Sequence, residues 1–203
     1  MRVAALLAVA CTALVAGGAA FATPAAQPRV TLIGDSIAAS LEYVPSARKY
    51  LGEGLDLRTD AMVCRRLVAA SCVFQGTQPA TVLELVRSSG GALALGPVVV
   101  VNVGYNDWAA VYEVDKVMLA LKAAKVRTVV WVTLRETTSD YAQINSAILQ
   151  AAHRWPSLVV ADWNARSRGK PWFISDGLHL TPRGAKSFAR MLRPVVLEEV
   201  SGS

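Results

Sequence analysis

Short apolar runs alternate with stretches of helical period along the chain, and this alternation sets the expected architecture. Residues 29–33 (RVTLI) read as a first strand that stops at Gly34, and a helical pattern follows from Ser36 to Pro45. Residues 55–59 (LDLRT) read as a second strand. Residues 79–90 read as a helix, with Pro79 near its start and Gly90-Gly91 at its end. The strongest strand signal is 97–103 (PVVVVNV). Its four consecutive valines are β-branched and leave no polar face, which marks a central parallel strand buried on both sides. An amphipathic helix is expected over 113–125, a buried strand over 127–133 (RTVVWVT), a helix over 140–154 ended by Pro156, and a fifth strand over 157–161 (SLVVA). Thr181 is a good N-cap and Pro182 suits the first helical position, so a last helix is expected to run to about Val200.

Strands that alternate with helices pair in parallel, because each crossover helix packs back onto the sheet. The expected fold is therefore α/β: a three-layer α/β/α sandwich, flavodoxin-like, around a five-stranded parallel sheet. In such sheets the working residues gather at the carboxyl ends of the strands. No repeat, low-complexity tract or long linker interrupts the pattern, so residues 23–203 are expected to form one domain.

The N-terminus departs from this pattern. Met1-Arg2 is a short positive start, residues 3–16 (VAALLAVACTALVA) are an apolar core, and Ala20-Phe21-Ala22 is a small-x-small cleavage site. Residues 1–22 therefore read as a secretion signal, with the mature chain starting near Thr23. The apolar run is short for an uncleaved anchor, which needs about 20 apolar residues. Lipoprotein processing at Cys11 fits less well, because Ala8 stands where a larger aliphatic is usual. No later segment is apolar enough to span a bilayer.

Export changes the cysteine arithmetic. Of three cysteines, Cys64 and Cys72 remain after processing, and an even pair in an oxidising compartment is expected to form a disulfide; two buried thiols are the alternative. Hydrophobic residues make up 53% of the chain and charged residues 18%, a globular balance. The formal charge of +6 is dispersed. No basic run with interleaved aromatics occurs, so nucleic acid is not an expected partner, while mild attraction to an anionic cell envelope is.

Three polar segments fall at strand ends or before a helix. Gly34-Asp35-Ser36 follows the first strand, and Ser36 at a helix start would have free N–H groups beside it to receive a developing anion. A plain helix cap is the alternative for that serine. Gly104-Tyr105-Asn106-Asp107 follows the valine strand, where Asn106 could aim an amide donor into the cleft or merely complete a turn. Asp176-Gly177-Leu178-His179 precedes the last helix. A carboxylate three residues before an imidazole can fix its tautomer and stabilise its charged form. The other histidine, His153, sits in a polar helix face beside Arg154 and reads as a surface residue. No cluster has metal-ligand spacing, and no metal or cofactor is expected. The serine segment is not GxSxG, which argues against a nucleophile elbow.

GDS, GxND and DxxH in this order, at the strand ends of one α/β domain, resemble the SGNH hydrolases, also called GDSL esterases/lipases. The resemblance runs from about Val30 to the last helix. It implies that Ser36 is the nucleophile, that Gly104 and Asn106 belong to the oxyanion hole, and that Asp176 and His179 complete a triad. The family usually places a glycine N–H donor in a second block; Asp60-Ala61-Met62-Val63-Cys64-Arg65 aligns there, with Cys64 in the glycine's place. Its backbone N–H survives the exchange, and a Cys64–Cys72 bridge could hold that loop. Trp131–Leu134, Asp162-Trp163 and the Asp176 segment also look like SGNH domains attached to membrane acyltransferases that modify glycans. This chain lacks such a membrane half and would be a free-standing relative.

The expected protein is a secreted, monomeric serine esterase that acts on small-molecule, lipid or glycan esters. Tyr105, Trp108 and Trp172 either line its substrate pocket or pack in the core. Two alternatives are an O-acyltransferase with a glycan hydroxyl as acceptor, and a non-enzymatic glycan-binding module on the same fold.

Overall fold

The computed structural model describes residues 26–202. The expected secretion signal at 1–22, with Cys11, lies outside the described residues. Five strands, β1 (Arg29–Gly34), β2 (Asp56–Ala61), β3 (Val98–Asn102), β4 (Thr128–Val132) and β5 (Leu158–Ala161), form one parallel sheet in the order β2-β1-β3-β4-β5. The valine strand is central, as its two apolar faces require. The helices are α1 (Ser40–Tyr43), α2 (Pro45–Gly52), α3 (Val82–Ser88), α4 (Ala92–Leu95), α5 (Val114–Ala123), α6 (Ser139–Arg154), α7 (Trp163–Ser167) and α8 (Pro182–Ser201).

Strand side chains alternate between two cores, one on each face. Ile33, Val99, Val101, Val129 and Trp131 point to the face covered by α3, α5 and α6. Val30, Leu32, Val98, Val100, Val130 and Val132 point to the face covered by α1, α2, α7 and α8. Full burial of each such side chain contributes roughly 1.5–3 kcal/mol. Among the described residues no helix is long and apolar enough to cross a membrane.

Strand positions agree with the apolar pattern to within a residue or two. The segment after β1 does not. Instead of one helix from Ser36, residues 36–39 form turns closed by Ala39 N to Asp35 O (3.0 Å) and Ser40 N to Ile37 O (3.1 Å), and α1 begins only at Ser40. The Asp35 carboxylate also accepts the Ile37 N–H at 3.0 Å, which favours a turn over a helix. Pro45, expected to stop that helix, instead opens α2: its fixed φ and missing N–H suit a first position. Helix α3 begins at Val82 rather than at 79 because Thr81 and Glu84 form a reciprocal capping box. The short α7, absent from the apolar pattern, is nucleated by Asp162, whose carboxylate accepts the Ala165 N–H at 3.0 Å. Arg193 on α8 donates to the Tyr50, Leu51 and Glu53 carbonyls and so closes the end of α2.

Candidate active site

Four loops meet at the carboxyl ends of β1, β2 and β3 and before α8. Gly34 allows the first to leave the sheet. A Cβ at Gly34 would lie 2.1 Å from that of Ala38, so only glycine permits the turn to fold back this tightly. Asp35 then dives into the interior and Ser36 remains at the surface of the turn.

Asp35 joins the first loop to the third. One carboxylate oxygen accepts the Ile37 N–H; the other accepts the Gly104 and Tyr105 N–H groups, each at 3.2 Å. Burial raises its carboxyl to about 6 despite the opposing pull of these donors. Asp107 joins the third loop to the second: it accepts the Leu67 N–H at 3.1 and 3.2 Å, and burial raises it to about 7. Both carboxylates thus serve as links between loops.

The second loop carries Cys64, which is bonded to Cys72 as expected. Cys64 sits at φ +72°, in the left-handed region that favours glycine. The glycine that the resemblance implies is therefore replaced in side chain but not in backbone shape. Beside it, Arg65 is 1% exposed. Its guanidinium donates to Asp60 Oδ1 (2.7 Å), to the Ala80 carbonyl (3.0 Å), and to the Asp60 and Gly34 carbonyls. This buried cation pins the loop to the sheet, and a loop arginine gives no sign of that role in the apolar pattern.

Around Ser36 the N–H groups of Ser36 and Cys64 make no hydrogen bond to the described residues. The Asn106 amide donates one bond to the Arg65 carbonyl at 3.3 Å, and its second N–H stays available. Arg66 donates to the Asn106 carbonyl at 2.7 Å and lies over the Trp108 ring at 4.0 Å, bracing this loop from outside.

The fourth loop brings the imidazole. Asp176 Oδ1 accepts the Leu178 and His179 N–H groups at 2.8 and 2.9 Å, which folds the segment into a tight turn. These bonds and the neighbouring imidazole hold its carboxyl low, at about 2. Asp176 Oδ2 lies 2.6 Å from His179 Nδ1, and His179 Nε2 lies 3.0 Å from Ser36 Oγ. A carboxylate on the Nδ1 side selects the Nδ1–H tautomer and leaves the Nε2 lone pair facing the serine hydroxyl. Residues 143 positions apart thus form one unbroken hydrogen-bonded chain. Arg135 braces this loop by donating to the Gly177 carbonyl and stacking on Phe173 at 3.9 Å. Its backbone N–H donates to the Tyr105 hydroxyl at 2.6 Å, which links the third loop to the fourth.

The aromatic candidates divide. Trp172 is buried and stacks on Trp163, with ring centroids 5.6 Å apart, so it packs in the core instead of lining a cleft. Tyr105 is buried edge-to-face against Tyr141 with its hydroxyl already occupied, and it too is structural. Trp108 is 55% exposed beside Asn106. His153 is exposed on α6, away from the site. Among the described residues no group of three or more His, Cys, Asp or Glu side chains could hold a metal ion.

No protein-family model matches the chain. Over 118 residues it is 25% identical to YrhL of Bacillus subtilis, a candidate peptidoglycan O-acetyltransferase, a match that covers 58% of this chain and 18% of that protein. Over 70 residues it is 37% identical to the peptidoglycan O-acetyltransferase OatA of Listeria monocytogenes, covering 34% of this chain and 11% of that protein. The chain therefore spans less than a fifth of the length of either relative. Among solved structures, a candidate lipolytic protein of the G-D-S-L family from Desulfitobacterium hafniense superposes with a TM-score of 0.57 at 14% identity, covering 83% of this chain and 99% of that one. The five-stranded parallel sheet covered by helices on both faces and this superposition agree: the chain has the SGNH, or GDSL, α/β fold that its motifs resemble.

Proposed function

We propose that this protein is an exported serine esterase that cleaves acyl or acetyl esters by two-step acyl transfer. Ser36 Oγ attacks the ester carbonyl while His179 Nε2 takes its proton, and Asp176 holds the imidazole and stabilises its charged form. The oxyanion forms between the N–H groups of Ser36 and Cys64 and the Asn106 amide. Protonated His179 then hands its proton to the leaving alcohol. Water, activated by the same imidazole, releases the acid and restores Ser36. The observation that carries this reading is the Ser36–His179–Asp176 chain, at 3.0 and 2.6 Å.

The test is Ser36→Ala with p-nitrophenyl acetate. Turnover should fall by at least about 1,000-fold while the circular dichroism spectrum is retained. Undiminished turnover would reject the assignment.

A second reading, transfer of the acyl group to a glycan hydroxyl, is favoured by two observations. The matched relatives are named as peptidoglycan O-acetyltransferases. The side chains of His179 and Asp176 are 45% and 41% exposed, so a second hydroxyl has room to approach. Product analysis with an activated acetyl ester, with and without a glycan acceptor, separates transfer from hydrolysis. Export to the cell envelope is supported by the signal-like pattern at 1–22 and by the disulfide.

A further inference from the structure

Next to the second loop lies a depression of about 270 Å³ that the mechanism above leaves unused. Its floor is Ala39, three residues beyond Ser36, and its inner wall is the Met62–Val63 segment that leads into Cys64. Met62 N donates to the Gly34 carbonyl at 3.0 Å, which fixes that wall against the strand end bearing Ser36. The wall of the depression thus ends at Val63, one residue before the proposed oxyanion donor at Cys64. Tyr43 and Phe74 stand at its rim, 77% and 46% exposed, with Gln75 and Thr77 beside them.

The rim is rigid. Phe74 and Thr77 exchange both backbone hydrogen bonds at 2.9 Å, closing a two-residue hairpin turn. Both central residues have positive φ, Gln75 at +47° and Gly76 at +76°. Glycine accepts this freely, whereas glutamine is strained there, and strain of this kind persists where the surroundings impose it. The Cys64–Cys72 bond and the Gln78 amide bond to the Ser71 carbonyl (2.7 Å) hold the base of the hairpin. An aromatic side chain kept at the surface on so constrained a loop is pre-organised for contact. The Gln75 and Thr77 side chains make no hydrogen bond to the described residues, so amide and hydroxyl groups remain free beside two aromatic faces.

The geometry points to this depression as a subsite for a pyranose ring of a glycan ester. The volume is several times that of an acetyl group, so it suits the larger, alcohol-side part of an acetylated substrate. A sugar ring presents C–H groups to an aromatic face and hydroxyls at its edge, which matches Tyr43 and Phe74 with Gln75 and Thr77. A long acyl chain would leave those free polar groups unmatched. The assignment deepens the esterase reading and rests on it for the identity of the reacting bond, while ring binding itself is measurable without turnover.

The test uses Ser36→Ala protein, so binding is read without catalysis, and chitotetraose as the probe. Saturable binding by NMR titration is expected. Adding Phe74→Ala should weaken it about tenfold, and Phe74→Trp should preserve it. Chemical shift changes should centre on Met62, Phe74 and Thr77. No saturable binding at millimolar chitotetraose, binding unaffected by Phe74→Ala, or binding at these residues by an octanoyl ester and not by the sugar would each overturn the subsite. Hydrolysis of p-nitrophenyl acetate by the unaltered protein reports separately on the esterase reading.

Discussion

Replacing both bridged cysteines in two different ways separates the bridge's effect on stability from its effect on the proposed oxyanion site. The bridge spans a sequence separation of 8, for which the chain-entropy relation gives roughly 2.5 kcal/mol. For a domain of this size that is roughly 5–10 °C in Tm. The second effect comes from φ +72° at Cys64. A residue with a Cβ incurs about 1–2 kcal/mol in that region, and glycine does not. Once the bridge is gone, Cys64→Ser/Cys72→Ser has reason to relax and move the position-64 N–H out of the proposed oxyanion site. Its kcat on p-nitrophenyl acetate should fall about tenfold, within the bound of about 100-fold or more for complete loss of an oxyanion donor. Cys64→Gly/Cys72→Ser should recover most of that loss, although its Tm remains lowered. Steady-state kinetics at 25 °C with thermal melts of both variants makes the comparison. Equal turnover by the two double variants would refute the role given to the left-handed backbone at position 64.

Two further outcomes follow from the buried carboxylates and the bracing arginine. Asp107 is raised to about 7 and Asp35 to about 6, so the folded state holds protons that the unfolded chain releases near pH 4. Stability should therefore fall as pH rises from about 4 to about 7, and Asp107→Asn should flatten the upper part of that slope in thermal melts; an unchanged slope would count against it. Asp176, held at about 2, acts in the opposite sense and only below this window. Arg135→Ala removes the guanidinium from the Gly177 carbonyl and the Phe173 ring and should lower kcat several-fold with little change in KM, whereas wild-type kcat would show that the Asp176–His179 turn holds itself.

The sheet was legible because its determinants are local. Four valines without a polar face specify a central strand wherever they occur, and Thr181-Pro182 specifies a helix start by chemistry confined to two residues. What escaped the pattern depends on contacts across the sheet. Ser36 looked like a helix start, but Asp35 reaches 69 and 70 residues ahead to the Gly104 and Tyr105 amides and holds the segment as a turn. Arg65 reads as a surface charge until Asp60 and three carbonyls enclose it. Trp172 looked equally suited to pocket or core, and its stacking on Trp163 decided for the core. Ser36, Asp176 and His179, which the structure brings into contact, stand out by their order along the chain, whereas the loop that holds Cys64 in a glycine's conformation becomes visible only with the backbone.

Covalent labelling tests the central claim most directly. On incubation with a fluorophosphonate, intact-mass and peptide analysis should find one adduct per chain, on Ser36, abolished by prior denaturation and strongly slowed by His179→Ala. An unmodified Ser36 in folded protein, or an adduct formed as quickly without the imidazole, would contradict the account.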